Sequence, residues 1–203
     1  MKKENGFGYQ LARFFLSPIY KLMYHPIIIG KEYIPKEGPI IICGNHRHAF
    51  DQFPVLVSTR RTVHYMAKKE YFDGHGAWFF KLVGCIPVDR SIHDEKAKTR
   101  ALNILKNGGA IGIFPEGTRN KTIGTKDEVI LLPFKFGAVS MAKKTDATIV
   151  PFGLIGDHTV KNKNLTLIFG KPFKVGNMTL EEANKLLEEK IKTLVMKAGG
   201  INE

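Results

Sequence analysis

Cysteine is scarce in this chain of 203 residues, and the two cysteines stand apart from each other in apolar surroundings. Cys43 and Cys85 lack a Cys-x-x-Cys spacing, which disfavours a zinc site or a thiol redox centre. Acidic residues are also few, with 19 Asp and Glu against 31 Lys and Arg, which gives a net charge of +12. Because an excess of positive charge favours negatively charged partners, we expect phosphate groups on a lipid, a nucleic acid or a small substrate.

Long apolar runs are also missing from the chain. The stretches at 14–20 and 22–30 are far shorter than the roughly 20 residues that cross a bilayer, so we expect no transmembrane helix. The N-terminus begins basic and turns apolar, as a signal peptide does, but Arg13 and Lys21 interrupt it and no small-x-small cleavage site follows. We therefore expect this segment to be retained, and nothing in the cysteine pattern requires an oxidising compartment.

The segment 7–24 has the pattern of an amphipathic helix, with apolar residues at the 3- to 4-residue spacing of one face. A basic helix of this kind can lie in a membrane interface, or it can pack as a first helix on the protein's own core. The pattern alone favours packing on the core. The apolar face consists of Phe7, Leu11, Phe14, Phe15, Pro18, Ile19, Leu22 and Met23, and the opposite face of Gln10, Arg13, Ser17 and Lys21.

Short runs rich in Ile and Val alternate with longer helical segments, a pattern typical of an α/β domain. The length suits one hydrophobic core and is short for two, and no linker is visible, so we expect a single domain. The pattern predicts strands at 26–29, 39–43, 62–66, 85–88, 110–114, 148–153 and 164–169. It predicts helices at 50–59, 94–106, 132–144 and 179–197, the last with a capping box, and a surface loop at 120–129.

His46 and Asp51 form the first candidate pair for chemistry, between a predicted strand and a predicted helix. A carboxylate partner lets a histidine act as a general base, because it fixes the tautomer and stabilises the imidazolium. Chance supplies roughly 0.24 such spacings in a chain of this composition, so the spacing alone is a weak signal. The two side chains can meet only if His46 lies in the turn before the helix and Asp51 lies in its first turn.

Two segments further along the chain are predicted strands that end at an arginine or at a turn with an arginine. The first runs from Gly84 to Arg90, and the second is the hexapeptide Phe-Pro-Glu-Gly-Thr-Arg, which ends at Arg119. Arginines at strand ends lie at the binding crevice of an α/β fold, and their planar guanidinium groups suit phosphate oxygens. Glu116 could pair with an arginine, hold it or bind a substrate hydroxyl, and Gly117 permits a positive φ. Taken singly, each segment also fits a surface salt bridge near a turn.

Together and in this order, these blocks resemble the 1-acylglycerol-3-phosphate acyltransferases and the wider glycerolipid acyltransferase superfamily. The resemblance runs from about residue 25 to about residue 175. The hexapeptide is its most specific part, since six fixed positions arise by chance on the order of 10⁻⁵ times or fewer per chain. The blocks are His-x4-Asp at His46 and Asp51, Gly-x-Ile-x-Val-x-Arg from Gly84 to Arg90, the hexapeptide from Phe114 to Arg119, and a looser strand with a central proline from Ile149 to Gly153.

The resemblance implies a single α/β domain, with a mostly apolar sheet flanked by helices, that rests on a membrane. It implies transfer of a fatty acyl chain to the sn-2 hydroxyl of 1-acylglycerol 3-phosphate, which gives phosphatidic acid. His46 would be the general base and Asp51 its partner, with no covalent enzyme intermediate. One lysine of the segment 66–70 resembles a further phosphate contact, and we select Lys68 over Lys69. The glycerol phosphate would be bound by Lys68, Arg90, Glu116, Gly117, Thr118 and Arg119.

The same resemblance implies that neither a cofactor nor a metal is needed. The acyl donor would be a thioester of acyl carrier protein or coenzyme A, and the acceptor would be a lysophospholipid. The resemblance also favours docking of residues 7–24 on an anionic membrane over packing on the core. We therefore expect a docking helix at 1–24 and an acyltransferase domain at 25–203, in a cytoplasmic protein that is peripheral on the inner face of the cell membrane.

One position departs from the pattern, since His48 stands where many members have serine two residues after the base. His46, His48 and Asp51 could alternatively bind a metal together with His64. A serine nucleophile has no Gly-x-Ser-x-Gly motif to support it. For the oxyanion of the reaction, the candidate donors are backbone N–H groups near Gly117 or at the helix start after His46.

Two other interpretations of the function stay open from the sequence. The same chemistry could act on glycerol 3-phosphate or another lysophospholipid, because the blocks describe the reaction centre more than the acceptor. The positive charge also fits a nonenzymatic binder of anionic membrane or nucleic acid. No recognition helix, RNA-binding sheet or zinc-finger pattern is present, however, so we expect no nucleic acid partner.

Overall fold

The computed structural model describes residues 6–92, 94–122, 129–160 and 165–200, and within these ranges helices alternate with strands. The helices are α1 (Phe7–Tyr24), α2 (Gln52–Ser58), α3 (Ala77–Leu82), α4 (Glu95–Lys106), α5 (Gly137–Thr145) and α6 (Leu180–Gly199). The strands are β1 (Ile27–Ile29), β2 (Ile40–Gly44), β3 (Val63–Lys68), β4 (Ile86–Val88), β5 (Ala110–Ile113), β6 (Thr148–Ile155) and β7 (Thr166–Phe169). Short 3-10 helices, Lys31–Tyr33 and Lys69–Phe72, follow β1 and β3.

The described strands form one sheet in the order β1-β7-β6-β2-β5-β3-β4. β6 and β7 are antiparallel, and the other neighbouring strands run parallel. β2 lies in the centre between β6 and β5, and all five of its residues are buried. Its unbroken apolar run suits a parallel strand that is covered on both faces.

Helices cover both faces of the sheet and divide the core into two layers. α4, α5 and α6 pack on one face against Ile41, Ile111 and Ile149. α1 and α2 pack on the opposite face against Ile42 and Phe152. The predicted fold, a single α/β domain with an apolar sheet between helices, is therefore confirmed.

The helix predicted at 132–144 is shorter in the structure and begins only at Gly137. Two causes act on the residues before it. The N–H of Leu132 donates to the Glu116 carboxylate at 2.9 Å and is not available to a helical turn. Pro133 also disfavours a helical conformation at the residue that precedes it.

Other boundaries are closer to the prediction. α6 begins with the predicted capping box, in which Thr179 and Glu182 exchange hydrogen bonds between side chain and backbone. The last predicted strand is observed from Thr166, while Asn164 lies outside the described residues, as do residues 123–128 of the predicted loop. The sequence does not predict α3, because six residues are too few to display a helical period.

α1 packs on the domain through Tyr9, Ala12 and Tyr20, which are buried, and through hydrogen bonds from Gln10 and Arg13 of the predicted polar face. Gln10 donates to the Arg60 carbonyl at 2.9 Å, and Arg13 donates to the Leu56 and Thr59 carbonyls at 3.2 and 2.9 Å. All eight residues of the predicted apolar face are exposed, with Phe7, Phe14 and Leu22 at 71%, 71% and 74%. Packing of this face on the core, which the pattern alone favours, is therefore wrong. Within the described residues, no helix is long and apolar enough to span a bilayer.

Candidate active site

Five neighbouring parallel strands, β6, β2, β5, β3 and β4, end at the same edge of the sheet. His158 follows β6, His46 follows β2, the hexapeptide turn follows β5, Lys68 ends β3 and Arg90 follows β4. Adjacent strands lie about 4.8 Å apart. The predicted site residues therefore form a row along this edge, which is where α/β folds bind their ligands.

His46 and Asp51 meet as the sequence analysis requires. Asp51 immediately precedes α2, and His46 lies in the turn between β2 and that helix. The Nδ1 atom of His46 is 3.0 Å from Oδ2 of Asp51. The same oxygen accepts hydrogen bonds from the N–H groups of Arg47 and His48 at 2.6 and 2.7 Å. With Nδ1 bonded to the carboxylate, Nε2 is the ring nitrogen that can accept a proton from a substrate.

Hydrogen bonds keep Asp51 ionised despite its burial. Burial on its own would raise the pKa of this carboxyl, but hydrogen bonds from His158, His46 and the two N–H groups outweigh it and lower the pKa to about 2. The pKa of His48 is lowered, chiefly by burial and also by the nearby His158 and Arg119. Asp51 is therefore a fixed negative charge beside His46.

The imidazole ring of His46 is held by stacking as well as by its carboxylate partner. It lies on the ring of Phe114, with centroids 4.0 Å apart and planes at 12°. Phe114 in turn stacks on Tyr65 at 5.7 Å. Phe114, the first residue of the hexapeptide, therefore positions the candidate base His46. No pattern in the sequence indicates this role.

Glu116 is buried, at 3% exposure, and its carboxylate bonds to protein groups on both oxygens. Oε1 accepts from the N–H of His46 at 2.9 Å, and Oε2 accepts from the Asn120 amide and the N–H of Leu132, both at 2.9 Å. The sequence suggests that Glu116 could hold an arginine. In the structure it instead holds two backbone N–H groups and the amide of Asn120. Asn120 escapes the sequence analysis because it falls in a polar loop, yet it is buried and also bonds to the Ile130 carbonyl at 2.9 Å.

The turn after Glu116 presents cationic and small groups to solvent. Gly117 has a φ of 71°, as expected for a residue that must adopt a left-handed conformation. A Cβ atom at this position would lie 2.8 Å from Cε of Lys135, so the lysine side chain lies across the glycine. Thr118 and Arg119 follow and are exposed. Arg119 and Lys135 therefore flank the turn with positive charge.

Three of the backbone N–H groups that the sequence suggests as oxyanion donors have partners within the protein. The N–H of Gly117 donates to the Phe114 carbonyl at 2.9 Å. The N–H groups of Arg47 and His48 donate to Asp51, at the helix start. These three groups build the site and are not directed at a substrate.

The two lysines at the end of β3, Lys68 and Lys69, differ in their partners. Lys69 pairs with Asp89 at 2.7 Å, and Asp89 also accepts from the backbone and hydroxyl of Ser91, so Lys69 ties the end of β3 to the end of β4. Lys68 pairs with Glu70 at 2.8 Å, with both side chains about half exposed. Exposed pairs of this kind are weak, which leaves Lys68 able to exchange its partner for a phosphate. Arg90 is exposed at the end of the row.

His64 does not join the other histidines. Its Nδ1 atom is 2.7 Å from the carbonyl oxygen of Gly84, which lies in the turn between α3 and β4. In the ranges that the structure describes, no three His, Cys, Asp or Glu side chains converge in a way that could hold a metal. The third side chain at His46 and Asp51 is instead His158, which the sequence analysis does not name.

Comparison with known families decides the class of this chain. The sequence profile of the family described as Acyltransferase matches residues 25–155. The chain belongs to this acyltransferase family. The enzyme class predicted from the three blocks is thereby confirmed.

Named relatives of this acyltransferase span several kingdoms. A 1-acyl-sn-glycerol-3-phosphate acyltransferase of Bacillus subtilis is 32% identical over 153 residues, which cover 71% of this chain and 72% of the relative. The Borreliella burgdorferi protein of the same name is 32% identical over 80% of this chain and 64% of its own length. That of Saccharomyces cerevisiae is 30% identical over 80% of this chain and 56% of its own length.

A solved structure supports the fold of this acyltransferase. The 1-acyl-sn-glycerophosphate acyltransferase of Thermotoga maritima superimposes with a TM-score of 0.69, at 23% identity, over 93% of this chain and 81% of that chain. The comparison establishes a shared architecture.

Proposed function

We propose that this acyltransferase moves a fatty acyl chain from a thioester to the sn-2 hydroxyl of 1-acylglycerol 3-phosphate and so produces phosphatidic acid. The observation that carries the proposal is the His46–Asp51 pair, at 3.0 Å, in a row with exposed cationic side chains. The pair supplies a general base, and the cations supply a phosphate site. Relatives named for this acceptor support the choice of 1-acylglycerol 3-phosphate over glycerol 3-phosphate.

The reaction uses His46 as a proton carrier. Nε2 accepts the proton of the sn-2 hydroxyl while the hydroxyl oxygen attacks the carbonyl carbon of the thioester. The carbon–sulfur bond then breaks, and the leaving sulfur takes this proton, so His46 returns to its neutral form. Asp51, whose pKa is about 2, is ionised at neutral pH and stabilises the imidazolium between these steps.

The cysteines are poorly suited to an alternative route through a covalent acyl enzyme. Burial raises the pKa of the Cys43 thiol far above its usual range and that of Cys85 to about 11. A thiol is a nucleophile only as its thiolate. The raised pKa values therefore favour the proposed direct transfer between the two substrates over a cysteine acyl enzyme.

The phosphate of the acceptor would lie beyond β5, on the side of the row away from β6. Arg119 follows β5, Lys68 ends the next strand, and Arg90 follows the strand after that. At about 4.8 Å per strand, this row extends roughly 10 to 15 Å from His46. We assign the phosphate contacts to these three residues, and Glu116 to holding the turn on which Arg119 lies.

Turnover by the purified protein tests the proposed reaction. We expect phosphatidic acid from 1-acylglycerol 3-phosphate and either acyl carrier protein or coenzyme A thioesters, offered separately, and no product from glycerol 3-phosphate. The measurement is product formation by mass spectrometry, with vesicles present and His46→Ala as the background. Product from glycerol 3-phosphate alone would redirect the proposal to that acceptor, and no product from either acceptor in a folded sample would contradict it.

We also propose that α1 seats the enzyme on an anionic membrane, with residues 1–24 as the docking segment. Large apolar side chains cover its outward face, including Phe14 at 71% and Phe15 at 58% exposure. The net charge of +12 complements a negative lipid surface. Trp78 of the neighbouring helix α3 is 66% exposed and is suited to the same interface. The protein would thus be peripheral on the inner face of the cell membrane.

Vesicle flotation tests this docking. We expect Phe14→Ser combined with Leu22→Ser to lower binding to phosphatidylglycerol vesicles by a factor of about ten or more, because each side chain contributes about 1.5–3 kcal/mol when it is buried in the bilayer. Removing residues 1–24 is a poorer test, since it would also uncover the core beneath Tyr9 and Tyr20. The matched control is Met196→Ser, at an exposed apolar residue of α6. Flotation of the double variant equal to that of wild type would overturn the docking proposal.

A further inference from the structure

His158 contacts the catalytic pair through Asp51, at the carboxylate oxygen that His46 does not bind. Its Nε2 atom is 3.0 Å from Oδ1 of Asp51, whereas His46 and the two N–H groups bind Oδ2. The side chain of His158 is only 3% exposed and that of Asp51 only 2%. His158 is therefore placed to act on the carboxylate rather than on a substrate.

Tyr20 of α1 contacts the other nitrogen of the same ring. Its hydroxyl oxygen lies 3.3 Å from Nδ1 of His158. Tyr20 is buried at 6% exposure, and its ring stacks on Phe53 at 5.5 Å. Burial raises the pKa of Tyr20 well above its usual range, with the nearby Asp51 adding to the shift, so the hydroxyl keeps its proton.

The direction of these hydrogen bonds follows from the ionised carboxylate. Asp51 can only accept, so Nε2 of His158 must carry a proton and donate it. In the neutral ring Nδ1 is then an acceptor, and the Tyr20 hydroxyl donates to it. A continuous chain of hydrogen bonds thus runs from Tyr20 through His158 to Asp51, which also receives the bond from His46.

We propose that His158 is a positioning residue for acyl transfer, and that Tyr20 fixes the tautomer in which it acts. The proposal rests on the function proposed above. His158 fixes the rotation of the Asp51 carboxylate, so that Oδ2 stays directed at His46 and Nε2 of His46 stays directed at the acceptor hydroxyl. Because Tyr20 belongs to α1, the helix with the exposed apolar face also supports the base.

A pair of substitutions at His158 separates the hydrogen bond from packing. Glutamine can place an N–H at about the reach of the imidazole Nε2, whereas leucine fills the space without a donor. We expect His158→Leu to lower kcat about 10- to 100-fold, the factor that corresponds to one hydrogen bond to a charged group. KM for either substrate should change less than about twofold, since the side chain of His158 is only 3% exposed and bonds to protein groups. We expect His158→Gln to recover kcat to within about threefold of wild type.

Substitutions in α1 test the second half of the proposal. Tyr20→Phe keeps the ring and removes the hydroxyl, and we expect it to lower kcat about 3- to 10-fold. Tyr24→Phe is the matched control, because Tyr24 lies one turn along the same helix and touches the His158 ring only by its edge, at 5.7 Å. We expect the control to keep the activity of wild type.

Nitrogen NMR of the histidine rings gives a readout that needs no turnover. In wild type we expect His158 to carry its proton on Nε2 and to accept at Nδ1, and we expect Tyr20→Phe to move the Nδ1 signal alone. Comparison with His158→Gln assigns these signals. A proton on Nδ1, or an unchanged Nδ1 signal in Tyr20→Phe, would overturn the assigned hydrogen bonds.

The kinetic results can also contradict the inference. Activity of His158→Leu within twofold of wild type would remove the positioning role, as would equal losses in the leucine and glutamine variants at equal melting temperatures. A wild-type protein that makes no phosphatidic acid would contradict the proposed function instead, and the ring spectra would still test the hydrogen bonds.

Discussion

His46→Ala is expected to lower the kcat of phosphatidic acid formation by about 10³- to 10⁴-fold, the upper range of what a positioned general base contributes. Without the ring, the sn-2 hydroxyl must lose its proton to water as it attacks. KM for the acceptor should change little, because the residues that we propose to bind the phosphate lie further along the row of strand ends. The measurement is steady-state kinetics on samples with matched circular dichroism spectra.

His48→Ala is the control for this substitution. His48 is two residues away, and its backbone N–H, which alanine keeps, is what bonds to Asp51 at 2.7 Å. Its imidazole accepts from the N–H of Phe50 at 3.2 Å, so its loss should reduce activity by less than about tenfold. If His46→Ala in a folded protein kept more than a tenth of wild-type activity, the assignment of the base would be wrong.

Asp51→Asn is expected to lower kcat by about 10²- to 10³-fold while the fold is retained. Asparagine has nearly the same shape, and its amide oxygen takes the place of Oδ2, because the N–H groups of Arg47 and His48 need an acceptor there. The amide N–H group then takes the place of Oδ1, where it faces the N–H that His158 donates in wild type. The loss of the negative charge also removes stabilisation of the imidazolium. Kinetics of Asp51→Asn and of Asp51→Glu should differ, because glutamate keeps the charge but displaces it.

The same substitution should change how stability depends on pH. The pKa of Asp51 is about 2 in the folded protein, against about 3.9 for an unfolded chain. A depressed pKa adds stability that is complete above the unfolded value and is lost as the pH falls through about 4 to about 2, here about 2.5 kcal/mol in total. About half of this stability is lost by pH 3, so the decrease in urea stability between pH 7 and pH 3 should be about 1 kcal/mol smaller in Asp51→Asn than in wild type. Equal decreases would contradict it.

The spacing of His46 and Asp51 predicts their contact because both are local, on either side of a single turn between a strand and a helix. Arg90 and Arg119 are placed correctly at one edge of the sheet because parallel strands end together. His158 could not be predicted in this way, since 107 residues separate it from Asp51. His158 reaches the site because β6, the strand before it, pairs with β2. The sequence pattern of neither strand predicts this pairing.

The role of Glu116 illustrates a second limit. The sequence leaves open whether Glu116 pairs with an arginine, holds it or binds a substrate hydroxyl, and only the fold reveals that the carboxylate is buried among backbone and amide donors. Its bond to the N–H of Leu132 also explains why the helical period at 132–144 overestimates α5. The period of a sequence cannot show that a carboxylate elsewhere in the chain binds a backbone N–H group that a helix would otherwise use.

Copies of this protein in plain aqueous buffer are expected to associate through α1. A contiguous apolar surface of this kind is unusual on a soluble monomer and tends to find another surface to cover it. In the absence of lipid, the nearest such surface is the α1 of a second copy. Oligomers formed without lipid or detergent would then cover the same surface of α1 that we propose contacts the membrane, so binding to vesicles and self-association would compete for one set of exposed side chains.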